Sequence, residues 1–140
     1  MFRFTQDPSG VLEVEASGFW TVAEADQYMV ELTARLTATR ARYGYALVLV
    51  DGRQVQVQTA EVMQRMSHIQ QVLISNDRDR AAYIVTSSLA KMQAQRLSTS
   101  ERLKVFLSPT AARIWLLAYE NGAATDPHAP PAVGGQSSSA

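Results

Sequence analysis

The run Ala46-Leu-Val-Leu-Val50 carries an apolar side chain at every position. Successive residues of a strand point to opposite faces, so this run leaves no face for water. It must be covered on both sides, as in a layered sheet with helices packed against it. Two further strand-like runs, Ala81-Ala-Tyr-Ile-Val-Thr86 and Leu103-Lys-Val-Phe-Leu107, follow it with helical patterns between them.

The flanking segments fit that frame. Met1 to Thr5 and Val11 to Ala16 alternate around the turn cluster Asp7-Pro8-Ser9-Gly10, which predicts a hairpin ended by Ser17-Gly18. Thr21 and Glu24 have capping-box spacing. Val22, Ala25, Met29, Leu32 and Leu36 then recur at three- and four-residue intervals, one buried helical stripe. Arg35, Arg40 and Arg42 suit the negative end of the helix dipole, and Gly44 ends the helix. Thr59 can cap a second helix with Val62, Met66, Ile69 and Leu73 as its stripe, and Asn76 to Asp79 is a polar connection. Ser88 opens a third helix carrying Leu89, Met92 and Leu97. Ser108-Pro109 opens a fourth, serine as cap and proline at the first helical position, with Ile114, Trp115 and Leu117 to pack it. From Asn121 onward the chain is small, polar and rich in proline and glycine, too poor in apolar mass to order itself. We read residues 1–120 as one domain and 121–140 as a flexible tail. The expected architecture is α/β, a mostly parallel sheet with an N-terminal hairpin and four helices.

Composition narrows the function classes. The 140 residues suffice for one core. Lys plus Arg equals Asp plus Glu at 13 each, which argues against a nucleic-acid partner. The segment from Arg78 to Lys104 is locally basic, with Arg80, Lys91, Arg96 and Arg102, and reads as a solvated face. The absence of cysteine excludes disulfides and thiol nucleophiles. No apolar run reaches the roughly 18 residues of a membrane span, and the opening "MFRFTQDPSG" lacks a signal-peptide pattern. The expectation is a cytoplasmic protein without a transmembrane segment.

Catalytic equipment is thin. His68 falls in the second helix and His128 in the tail, so no histidine pair is placed for a metal. No Gly-Lys-Ser/Thr loop, Gly-x-Ser-x-Gly elbow or Gly-x-Gly-x-x-Gly is present. We expect no enzyme, no cofactor and no metal.

Several local stretches, in order, resemble the STAS domain, the fold of anti-sigma factor antagonists, and more closely the SpoIIAA-like family of small bacterial proteins. They are Gly18-Phe-Trp-Thr-Val-Ala-Glu24, Leu47-Val-Leu-Val-Asp51, Asp79-Arg-Ala-Ala-Tyr-Ile-Val85 and "RLKVFLSPTAARIWL" from Arg102 to Leu116. The resemblance implies a layered α/β fold related to lipid-binding CRAL-TRIO domains. In antagonists, a strand ending in Asp leads to a phosphorylated serine at the next helix start. Asp51 matches that aspartate, but the expected Asp-Ser-Ser-Gly is replaced by Gln58-Thr59-Ala60-Glu61, leaving Thr59 as the nearest hydroxyl.

Two sets of candidate residues follow. Asp51, Arg53 and Thr59 would form a regulatory or partner site, although Asp51-Gly52 also reads as a turn after the strand and Thr59 as a plain cap. Trp20, Met29, Met63 and Met66, with Tyr28 and Met92, would line an apolar pocket, since methionine adapts to irregular space. Val55 and Val57, alternating with glutamines, lie over a core or form an exposed edge. The first functional reading is a non-enzymatic interaction module that docks on a protein partner or on itself as a homodimer. The alternative is a carrier of a small apolar or lipid-like ligand, which requires a cavity of several hundred cubic ångströms.

Overall fold

The computed structural model describes residues 1–88, 91–92, 95 and 101–120. β1 (Phe2–Gln6) and β2 (Leu12–Gly18) pair antiparallel, and β2, β3 (Leu47–Val55), β4 (Arg80–Ile84) and β5 (Leu103–Phe106) run parallel. The five-stranded sheet keeps chain order, β1-β2-β3-β4-β5. α1 (Val22–Tyr43) connects β2 to β3, α2 (Ala60–Arg65) and α3 (Ile69–Leu73) lie between β3 and β4, and α4 (Pro109–Glu120) follows β5.

The apolar run is buried as its pattern requires. Val48 and Val50 pack with Tyr28, Leu32 and Leu36 of α1 and with Val62 and Leu73 of α2 and α3. Leu47 and Leu49 face the opposite side, where Ala112 and Leu116 of α4 join Ala82 and Ile84 of β4. Helices thus cover both faces, and β3 is the seam between two apolar clusters.

The caps agree with the sequence. The Thr21 hydroxyl accepts from the Glu24 N–H at 3.1 Å, Gly44 closes α1 at φ +84°, and the Ser108 hydroxyl accepts from the Ala111 N–H at 3.2 Å. The Glu24 carboxylate lies 2.7 Å from the Met1 amino group, so the box's return bond to Thr21 is not among the described hydrogen bonds.

Other expectations are corrected. β3 runs to Val55, so Asp51-Gly52 lies within a strand and not in a turn. β2 extends to Gly18 and supplies the ladder, with Ser17 opposite Gln54 and Gly18 opposite Val55, while a shift between Glu15 and Ser17 absorbs the surplus residue. The second helix is two short helices separated by a turn at Met66–His68, and His68 stands at the start of α3. Helices are therefore described at three places, those expected for the first, second and fourth. The third place, with Leu89, Leu97 and Arg96, lies largely outside the described residues, as does the tail. On α1 the buried positions are Ala25, Tyr28, Leu32, Leu36 and Thr39, while Val22 and Met29 are only partly buried. On α4, Ala112 and Leu116 are fully buried, the expected Trp115 and Leu117 pack against the same cluster while partly buried, and of the expected residues Ile114 turns outward at 64% exposed.

Among the described residues one charged side chain is fully buried. Asp79, 0% exposed, precedes β4. Its Oδ1 accepts from the Ala46 N–H at 2.8 Å, ahead of β3. Its Oδ2 accepts from the Ser75 and Asn76 N–H groups at 2.9 and 3.1 Å and from Arg40 Nε at 3.1 Å. Arg40 also donates to the carbonyls of Val72 and Leu73 at 2.8 and 3.3 Å, so the C-terminal turn of α1 holds the end of α3. Burial pushes the Asp79 carboxyl up, but the Ser75, Ala46 and Arg40 donors outweigh it and hold the group below the ordinary carboxylate range.

Removing one partner of a buried pair leaves an uncompensated charge or donor set, so Asp79→Ala is expected to cost about 3–5 kcal/mol in urea unfolding. A lowered folded-state pKa stabilises fully above the ordinary carboxylate value of about 3.9 and is lost as pH falls through the lowered value. Asp79→Asn should therefore flatten the acid limb of the stability profile; an unchanged limb would assign it to other carboxylates.

Candidate functional site

α2 and α3 do not lie flush on the sheet. Between them and the strands is a pocket of about 510 Å³, within the range of small-molecule sites. Val62, Met63, Met66, Ile69 and Leu73 form the helical wall. Ala16, Val50, Val55, Ala81, Tyr83 and Leu103 form the sheet wall, and Trp20 and Tyr28 contribute from the α1 side. The break between α2 and α3 matters here, since Met66 opens the turn, Ile69 follows it, and both remain only partly buried. Alanines at 16 and 81 keep the sheet wall low.

The α1 side is rigid. Phe2, Phe4, Trp20 and Tyr28 form a ring cluster with centroids 5.0 to 5.7 Å apart, mostly edge-on or tilted, the arrangement aromatic quadrupoles favour. Trp20 donates its indole N–H to the Ser17 carbonyl at 2.7 Å and its backbone N–H to Gln58 Oε1 at 2.8 Å. Gln58 Nε2 in turn donates to the carbonyls of Gly18 and Gln56 at 2.8 and 2.7 Å, pinning the β3–α2 loop beside the pocket.

Two phenols enter the pocket. Tyr28 is 2% exposed and Tyr83 is partly buried. Burial raises both above the ordinary tyrosine range, with the Tyr83 phenol adding to the effect on Tyr28 and the Asp51 carboxylate to that on Tyr83. Both are therefore neutral hydroxyls. Tyr83 lies over Gly52, where a Cβ would stand 2.4 Å from its hydroxyl and 2.6 Å from Cζ. Any larger residue at 52 would have to displace the Tyr83 ring from the space it occupies.

The predicted residues separate into two groups. Trp20, Met63 and Met66 line the pocket together, Met63 half-exposed at its rim. Met29, next to Tyr28 on α1, is not among the described lining residues and packs at the edge of the core. Met92 is 52% exposed. Of the alternating valines, Val55 lines the pocket and Val57 is 90% exposed. Asp51 and Arg53 pair with each other, Nη2 to Oδ2 at 2.7 Å and Nε to Oδ1 at 2.9 Å, and these bonds hold the Asp51 carboxyl below its ordinary range. The Thr59 hydroxyl accepts from the Val62 N–H at 3.2 Å, the bond of a helix cap. The structure does not join Thr59 to Asp51 and Arg53 by any described hydrogen bond. Among the basic residues of the later segment, Arg78 lies 4.1 Å over the Tyr45 ring, Lys104 lies 5.8 Å from the Trp115 ring centre, and Arg102 meets Asp77 at 3.3 Å.

Tyr83, Gln58 and Val62 were not anticipated as lining residues. For Tyr83 a signal existed, since Ala81-Ala82-Tyr83 sets small residues beside a large polar-tipped one in a buried strand. Among the described residues no cluster of histidine, aspartate and glutamate suits a metal ion, and no helix is long and apolar enough to cross a membrane.

The chain as a whole is similar to a crystal structure of an uncharacterized DUF3478-family protein from Shewanella loihica PV-4, described as having a SpoIIAA-like fold. The match has a TM-score of 0.59 at 20% identity and covers 82% of this chain and 93% of that one. The fold is SpoIIAA-like. No protein-family model and no curated protein matches the chain. At that identity the likeness carries the SpoIIAA-like architecture alone, and the pocket must be read from its own residues.

Gly52→Ala should cost about 1–3 kcal/mol through overpacking against Tyr83. A double-mutant cycle with Tyr83→Ala should recover most of that loss; additive losses would show that the strain lies elsewhere.

Proposed function

We propose that the protein is a non-enzymatic binding module that holds a small apolar molecule between α2–α3 and the sheet. The observation that carries this reading is the pocket of about 510 Å³ whose described lining contains no charged side chain. Such a lining removes apolar ligand surface from water at roughly 25 cal/mol per Å². The adaptable Met63 and Met66 on one wall and the fixed ring cluster on the other suit a ligand of loosely defined shape. The relation of SpoIIAA-like folds to lipid-binding CRAL-TRIO domains points the same way.

A second reading, docking on a protein partner or on a second copy, has its own support. Phe19 and Val57 are 58% and 90% exposed. They lie next to the junction at which the Gln56 N–H donates to the Gly18 carbonyl at 3.1 Å. Large apolar side chains placed together outside a core mark contact surfaces.

Native mass spectrometry of gently purified protein should show a bound small-molecule mass that Ile69→Trp, which fills the pocket from α3, removes without lowering the melting temperature. An empty wild-type chain would set the carrier reading aside. A dimer that Val57→Lys dissolves would favour the docking surface.

A further inference from the structure

The proposed pocket is apolar but not featureless. The Tyr28 and Tyr83 hydroxyls accept and donate no hydrogen bond among the described residues, and both side chains line the cavity. Of the other polar lining residues, Gln58 is already committed through its Oε1 and Nε2 to the backbone of Trp20, Gly18 and Gln56, while Ser67 and Gln70 belong to the α2–α3 side, away from the sheet that carries Tyr83. A buried hydroxyl without a partner costs about 1–3 kcal/mol, so such groups are seldom left idle in native proteins. Two of them at one pocket form a donor site.

The charge of the acceptor is also constrained. No described lining residue is cationic, so a carboxylate or phosphate entering here would be desolvated without a counter-ion. The charge that acts on Tyr83 is Asp51, and its own cation, Arg53, is bound to it, so that guanidinium is not free to meet an anion.

Resting on the carrier reading above, we propose that the ligand is an uncharged amphiphile with a carbonyl oxygen, an ester, ketone or quinone, received by the hydroxyls of Tyr28 and Tyr83 while its hydrocarbon lies along Met63, Met66 and Ile69. The carbonyl accepts, the phenols donate, and no proton is transferred.

The test is displacement of N-phenylnaphthylamine, a neutral apolar dye, from the full chain by three probes of equal chain length: methyl decanoate, decane and decanoate. At neutral pH, methyl decanoate should displace the dye at a concentration about ten-fold or more below decane, the equivalent of about 1.4 kcal/mol. Decanoate should be weaker than its ester. In the Tyr28→Phe/Tyr83→Phe variant the dye should still bind, the ester should fall to the level of decane, and the melting temperature should hold or rise, because hydroxyls without protein partners are removed. Equal displacement by ester and decane, an ester preference that survives in the variant, or a preference for decanoate would overturn the inference while leaving an apolar pocket intact. Failure of the dye to bind wild type would overturn the carrier reading and this inference together. A large fall in melting temperature in the variant would show that the hydroxyls hold the fold, and would overturn it too.

Discussion

A single buried carboxylate sets the frame on which the rest is hung. Asp79 is fully buried and gathers donors from Ala46, Ser75, Asn76 and Arg40. These belong to the segment before β3, the turn after α3 and the end of α1. Aligning two parallel strands requires that their starting points be fixed, because no tight turn joins them. Asp79 does this electrostatically: it bridges the entries of β3 and β4, and Arg40 carries the tie to the helix layer. A group that would be costly to bury alone becomes a clamp once each lone pair meets a donor.

From that clamp the asymmetry of the two faces follows. α4 lies close against β3 and β4, with Ala112 and Leu116 fully buried. It is also tied to the hairpin, where Arg113 meets Asp7 at 2.5 Å and pairs with Glu13. On the other face α1 packs tightly through Leu32 and Leu36, but α2 and α3 are short, and the turn between them lifts Met66 and Ile69 off the sheet. Close packing is the norm in protein interiors. The departure from it falls where Ala16, Ala81 and Gly52 keep the sheet low and Tyr28 and Tyr83 supply polar tips. Space, small neighbours and hydroxyls without a described partner coincide there.

Much of the fold was legible because it is locally encoded. Thr21, Thr59 and Ser108 act as caps through bonds three residues long, and Gly44 ends α1 in the left-handed region. The seam strand announced its two-sided burial by composition alone. The misreadings share a different origin. The extension of β3 to Val55 depends on a ladder with β2, and Ile114 points outward because the register of α4 is set by β3 and β4. Asp79 looked like part of a polar connection because its partners Ala46 and Arg40 are 33 and 39 residues away.

The candidate site divides the same way. Trp20, Met63 and Met66 were recognisable as adaptable or aromatic groups on amphipathic stretches, whereas Met29 has the same chemistry but packs at the edge of the core outside the pocket lining. Tyr83 needed the fold, since only parallel pairing of β4 with β3 sets its ring over Gly52. By itself the sequence determined the element types, their order and the need for cover on both faces, because caps and side-chain periodicity act over a few residues. Only the tertiary structure decided where the helices stand away from the sheet and which polar groups remain unpaired there, because those depend on contacts between residues distant in the chain.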